Sequence, residues 1–313
     1  MKHSVRTIVA AAAVTMVAGT ASAQNIIIKS GPQGGVWYPI SAGMASVLQD
    51  ELGMQVTLQA GGGVSNAITT GRNEGHFGFT TPGAAAEVYK GSAERPAEDK
   101  LRTFGILYNQ FFSVNLPADS DIASVADLAG KRIVTMRKGS STEKMTQDVL
   151  AAHGLNYDDM ASVNFAGSVG DATNQLRDGQ VDAYLNLIAH PAGYMLELSS
   201  AMPMNLLSLD PEVIDKITSE TEGYSEITLP AGTYDWQDED VHTINGPVMM
   251  VTNADVPDDV VYQVAKALFE NQQTLVDVHQ VMRAFTPENA ASNPPVPMHP
   301  GAERYFREVG ALN

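Results

Sequence analysis

Chemistry in this chain concentrates at three stretches where glycines meet hydroxyl, amide or aromatic residues. They are Ser30-Gly31-Pro32-Gln33-Gly34-Gly35-Val36-Trp37-Tyr38, Gly61-Gly62-Gly63-Val64-Ser65-Asn66 and Arg137-Lys138-Gly139-Ser140-Ser141-Thr142. A glycine-rich turn that opens a helix leaves backbone N–H groups free and aimed at one point. The positive end of the helix dipole adds to them, so each turn is a candidate anion seat. In the third, two cations precede Ser140, Ser141 and Thr142, whose hydroxyls and N–H groups suit a carboxylate; a serine or threonine helix cap is the alternative. Ser65 and Asn66 are adaptable donors, or else parts of a capped tight turn. Gly35 with Trp37 and Tyr38 offers an aromatic wall with a polar tip, or else a packing pair. Asn186 and His190-Pro191 follow a strand whose end would face the crevice of an open α/β sheet, although a structural role suits His190 better. Thr80 and Thr81, at the end of another strand, complete the candidate set.

Reactive chemistry finds less support. Gly63-Val64-Ser65-Asn66-Ala67 and Gly139-Ser140-Ser141-Thr142-Glu143 both lack the last glycine of a G-x-S-x-G elbow. The seven histidines show no metal-ligand spacing, and Asp238-Glu239-Asp240 with His242 reads as a solvated acidic loop. Neither G-x-G-x-x-G nor a P-loop occurs. We therefore expect no catalytic residue, no metal and no cofactor: a binding protein, not an enzyme.

The elements that must position these turns alternate. A strand at 25–29, with Ile26-Ile27-Ile28 too continuous for a half-exposed strand, leads to a helix at 38–52 with Ile40, Met44, Val47 and Leu48 on one face. A strand at 55–59, a helix at 64–72 and a strand at 76–80 continue the pattern, followed by a helix at 82–91. An apolar extended segment at 103–116 suits a strand passing from one domain to another. The alternation restarts with a strand at 132–136, a helix at 142–153, a strand at 163–165, a helix at 169–178 and a strand at 181–187. A weakly patterned stretch at 219–240 returns the chain to its first domain. There a strand at 247–252, a helix at 257–271 and a last helix at 301–309 finish it. The expected architecture is two α/β lobes, 24–112 with 236–313 and 113–235, with a ligand cleft between them.

Bulk composition sets the setting. Lys2 and Arg6, the apolar run Ile8 to Ala18 and Ala21-Ser22-Ala23 read as a signal peptide cleaved after Ala23, leaving 290 residues from Gln24. There is no cysteine, hence no disulfide, thiolate site or lipobox. The periplasm of a Gram-negative cell fits best. Net charge is −17, or −19 without Lys2 and Arg6, which disfavours nucleic acid and anionic lipid as partners. A monomer is expected.

Taken in order, Gly34-Gly35-Val36-Trp37-Tyr38-Pro39-Ile40, Gly61 to Asn66, Asp127-Leu128-Ala129-Gly130-Lys131-Arg132 with Gly139-Ser140, Asp178-Gly179-Gln180-Val181-Asp182-Ala183, Pro230-Ala231-Gly232-Thr233-Tyr234 and Pro297-Met298-His299-Pro300-Gly301-Ala302-Glu303-Arg304-Tyr305 form a distinctive series. The chain resembles the TAXI family of solute-binding proteins, receptors of tripartite ATP-independent periplasmic (TRAP) transporters, over almost all of its mature length. The resemblance implies a type II periplasmic-binding-protein fold, two lobes on hinge strands, that closes on an amino acid or dicarboxylate such as glutamate or 2-oxoglutarate. It raises Trp37-Tyr38 and Ser140-Ser141 as ligand contacts and implies TRAP permease subunits as partners. The same fold serving an ATP-driven permease or a sensor kinase is the alternative, with an enzyme third. Where the family commonly carries Ser, Tyr and Asp, this chain has Gly63, Trp37 and His76. The first removes an expected ligand hydroxyl and the second reshapes the pocket. His299-Pro300-Gly301 is expected to pack the last helix.

Overall fold

The computed structural model describes residues 25–31, 35–93, 95–221 and 223–312. Residues 1–23, expected to be a signal peptide, and Gly34 of the first turn lie outside them. Along the chain, β1 (Asn25–Ser30) feeds α1 (Trp37–Leu52), β2 (Gln55–Ala60), α2 (Gly63–Gly71), β3 (Phe77–Thr80), α3 (Pro82–Lys90) and β4 (Leu101–Tyr108). Next come β5 (Phe111–Pro117), β6 (Arg132–Met136), α4 (Ser141–Ala152), β7 (Ser162–Ala166), α5 (Val169–Arg177), β8 (Ala183–Ile188), α6 (Gly193–Ala201), β9 (Met204–Leu207), α7 (Pro211–Glu220), β10 (Ser225–Leu229) and β11 (Val241–Asn245). The chain ends with β12 (Val248–Asn253), α8 (Asp258–Glu270), α9 (Gln272–Val278), α10 (Pro287–Ala290) and α11 (Pro300–Glu308).

These strands form two sheets. The first runs β2-β1-β3-β12-β4, with β1 parallel to β2 and β3, and β12 antiparallel to both its neighbours. The second runs β10-β11-β5-β8-β6-β7, with β9 beside β5. Each buries its faces under its own helices. Ile26, Ile28, Phe77 and Phe79 meet Ile40, Met44 and Leu48 of α1, and Val261, Val264 and Leu268 of α8, in one core. Ile133, Leu185, Met145 and Val149 anchor a core in the other lobe. Parallel strands with a crossover helix must be covered in this way, because no short turn can join them. Ile27, expected to be as buried as its neighbours, is half-buried.

The apolar segment 103–116 is two strands, each in its own sheet, parted at Asn109-Gln110. The return crossing is Gly246-Pro247, because β10 and β11 both lie in the second sheet. Pattern alone puts the crossings at 112/113 and 235/236. Apolar residues flank Asn109-Gln110 on both sides, and only backbone pairing assigns the strands to their sheets. The two crossings are tied together: Gly246 N donates to Gln110 O at 3.0 Å, and Gln110 N to Asn245 Oδ1 at 3.2 Å. Five elements the pattern leaves unassigned, α6, β9, α7, β10 and β11, complete the second lobe.

Several residues behind the family resemblance are braces. Arg132 N donates to Asp182 Oδ2 at 2.8 Å and Arg132 Nη1 to Gly179 O at 3.0 Å, tying β6 to the turn before β8. His299 is fully buried; its Nδ1 accepts from Gly301 N at 3.1 Å, capping α11, as expected of a packing residue. His76 Nδ1 accepts the Ile27 N–H at 3.0 Å, the acceptor role an aspartate at this position would fill.

Candidate functional site

All three glycine turns come to the same gap between the lobes. On the first lobe, α1 opens at Trp37 and α2 at Gly63, each with no side-chain cap from the residue before it. Thr80 Oγ1 donates to Gly63 O at 2.8 Å and fixes where α2 starts. On the second, α4 opens at Ser141, with Ser140 Oγ accepting from Glu143 N at 3.1 Å. Ser140 is thus an ordinary N-cap, and the first N–H groups of α4 have no acceptor within the helix. The start of α5 at Val169 adds a further helix N-terminus.

The second and third turns touch. A Cβ on Gly62 would lie 3.0 Å from Gly139 O, and one on Gly63 would lie 1.8 Å from Ser141 Oγ. Only glycine permits that approach. Arg137 Nη2 donates across the gap to Gly61 O. Farther along the interface, Lys144 on α4 pairs with Asp148 in its own helix and lies 3.6 Å from Glu87 on α3, which also pairs with Arg95. Burial pushes the Asp148 carboxyl upward, against the pull of Lys144. The lobes are therefore closed on each other.

Between them lies a cavity of about 120 Å³. Its polar lining is the backbone of Gly35 and Gly61 to Gly63, with Gln110, Arg137, Ser140, Ser141, Thr142 and Asn186. The apolar lining is Val36, Trp37, Met136, Val169, Leu187 and Ile188. Ser141 is 4 % exposed, and its Oγ has no hydrogen-bond partner. A buried hydroxyl left unpaired costs stability, so its placement at a cavity wall points to a ligand atom as the acceptor. Helix N-termini, one guanidinium and an unpaired hydroxyl give this wall the donor chemistry that suits an anion.

Of the sequence candidates, Gly35, Trp37, Ser140, Ser141, Thr142 and Asn186 line the cavity together. The others have work elsewhere. Ser65 Oγ exchanges hydrogen bonds with Gly62 N and O at 3.0 and 2.9 Å, an exposed capping arrangement. Asn66 Nδ2 donates to Ser30 O at 3.0 Å and Phe79 O at 2.8 Å, stitching the ends of β1 and β3. Thr81 is fully buried at the N-cap of α3, and Tyr38 sits half-buried one residue beyond the lining. His190 Nε2 bonds Ser113 Oγ at 2.7 Å and its Nδ1 bonds Tyr234 Oη at 2.6 Å; burial pulls its pKa down to about 4. It is a neutral brace behind the cleft. Arg137 and Gln110 are lining residues outside the candidate set. Arg137 stands next to the third turn, but a cation before a helix is commonplace, and its contact with Gly61 spans 76 residues. Lys138 beside it faces the ring of Phe165 at 4.7 Å.

A profile described as the NMT1-like family matches residues 28–310. The chain belongs to the NMT1-like family. Among solved structures, this NMT1-like chain is similar to a putative L-cystine ABC transporter from Listeria monocytogenes, with 16% identity, 82% of this chain and 94% of that one covered, and a TM-score of 0.51. It is also similar to XAC2383 from Xanthomonas citri bound to ATP, with 11% identity, 92% and 96% covered, and a TM-score of 0.54. At such identities the likeness is one of fold. This NMT1-like protein has the type II periplasmic-binding-protein fold, two α/β lobes on hinge strands with a cleft between them.

Proposed function

We propose that the protein is a solute receptor of the cell envelope, which encloses a small organic anion between its lobes and delivers it unchanged to a membrane permease. One observation carries this reading: the N-termini of α1, α2, α4 and α5 meet at one cavity between the lobes, where Arg137 and the unpaired Ser141 hydroxyl also point to an anion. Binding energy would come from desolvated N–H and O–H donors meeting a carboxylate, with Trp37 and the aliphatic wall covering the rest. The ligand then shifts an open–closed equilibrium. The signal-peptide pattern of residues 1–23 supports a periplasmic setting.

Two partner readings have specific support. The ABC transporter description of the Listeria relative favours an ATP-driven permease. The ordered motif series, from Gly34-Gly35-Val36-Trp37-Tyr38 to His299-Pro300-Gly301, favours a TRAP permease and the TAXI branch. The membrane subunit encoded beside this chain separates them. The receptor reading itself is tested by native mass spectrometry of undenatured protein, followed by titration of the solute found. Ser141→Ala should weaken its binding by about tenfold or more, since a buried charge-assisted bond is worth roughly 1.5–3 kcal/mol. Unchanged affinity would reduce that turn to a helix cap, and chemical conversion of the solute would make the protein an enzyme.

A further inference from the structure

Resting on the receptor reading, we propose that the cleft selects a compact monoanion with an uncharged apolar body, of the short-chain monocarboxylate class, and rejects both α-amino acids and dicarboxylates. The lining decides this by charge. Arg137 is the one ionisable side chain among the described residues that wall the cavity, and it sits where the helix N-termini meet. No aspartate or glutamate is among the described residues that line it.

An α-ammonium group enclosed here would therefore lack a counter-charge. The acidic residues in the first turns of α4 and α5 are already hydrogen-bonded, Glu143 also to Gly139 N at 3.4 Å. Glu143 accepts from Gln147 Nε2 at 2.7 Å and from Tyr157 Oη at 3.2 Å. Asp171 accepts from Gly167 N at 3.3 Å and Gln175 Nε2 at 3.2 Å. Enclosing an ammonium without a partner is strongly unfavourable.

A second carboxylate would find no second cation among the described residues that line the cavity. The apolar part of the wall is Val36, Trp37, Met136, Val169, Leu187 and Ile188. The amide donors beside it already have partners in the frame: Asn186 Nδ2 reaches Tyr194 Oη at 3.4 Å, and Gln110 Nε2 reaches Leu187 O at 3.4 Å. Size agrees. A cavity of about 120 Å³, at about 10–15 Å³ per water, holds on the order of ten non-hydrogen atoms.

The test is calorimetric titration of the mature chain at neutral pH with four probes: 4-methyl-2-oxopentanoate, L-leucine, 2-oxoglutarate and L-glutamate. The first and second share a carbon skeleton and differ in the ammonium. The expected order puts 4-methyl-2-oxopentanoate at least about 100-fold tighter than the other three. Tightest binding of an amino acid or of 2-oxoglutarate overturns the monoanion proposal while leaving the receptor reading intact. Failure of all four, and of a wider panel of organic acids and amino acids, overturns the receptor reading and this proposal with it. Val169→Asp supplies a carboxylate at the first residue of α5, where an acidic group favours the helix. It should narrow the gap between L-leucine and 4-methyl-2-oxopentanoate at least about tenfold. An unchanged gap, in a variant with the native circular dichroism spectrum, also overturns the proposal.

Discussion

Gly63 illustrates how a missing side chain shapes a site. The family resemblance implies a serine there, yet a Cβ at this position would lie 1.8 Å from Ser141 Oγ and 3.1 Å from its Cβ. Gly63→Ser should therefore hold the lobes apart and weaken anion binding by about tenfold or more, measured by titration. The first-lobe fold should tolerate the change, because serine is accepted at a helix start. Adding Ser141→Gly removes the clashing side chain, and the pair should recover part of the loss, a coupling that a double-mutant cycle reads directly. The residues involved were visible in the sequence as glycine turns. Their contact was not, because it joins positions 78 apart on different lobes.

At the scale of elements, α3 and α4 face each other across the gap through Glu87 and Lys144. Such partly exposed pairs are worth little, roughly 0–1 kcal/mol, so Glu87→Gln should speed ligand release by no more than about fivefold. The difference from the parent should vanish at high salt, as stopped-flow release at two ionic strengths would show. The elements themselves were largely legible. Strand and helix alternate with period-appropriate apolar residues from Asn25 to Ile188, and the proline-started α8 and the last helix α11 are marked by their caps. Stretches without a clean period escaped. In α6, Met195 and Leu198 are buried while Leu196 is 53 % exposed, so its apolar residues outline no single face. By contrast, α7 carried readable signals, a proline at its start and Val213, Ile214 and Ile217 on one side. The cavity was half legible. Helix starts announce themselves locally, whereas the placing of Gln110 at a crossing and of Arg137 against Gly61 arises only when the two lobes meet.

For the whole molecule, buried histidines tie stability to pH. His190, with its pKa pulled down to about 4 by burial from an ordinary 6.5, binds fewer protons folded than unfolded between those values. The stability it contributes is complete above pH 6.5 and is lost as pH falls toward 4, on the order of 3 kcal/mol in all. His76, His279 and His299 are lowered by burial as well and act in the same direction. Urea unfolding at pH 7 and pH 4.5 should show the loss, and His190→Gln should flatten it. A profile as steep in the variant as in the parent would assign the effect to the other three.

The lobes are joined by two crossings, Asn109-Gln110 and Gly246-Pro247, and the hydrogen bonds from Gly246 N to Gln110 O and from Gln110 N to Asn245 Oδ1 bind them side by side. Mechanically they form one axle. Two separate linkers would allow the lobes to twist, slide and gape independently, whereas a single axle leaves mainly one rotation. In the receptor reading proposed above, a permease would need no matching grip on both halves. Leverage on either lobe, far from the cavity, would turn the other and open the cleft in the same stroke.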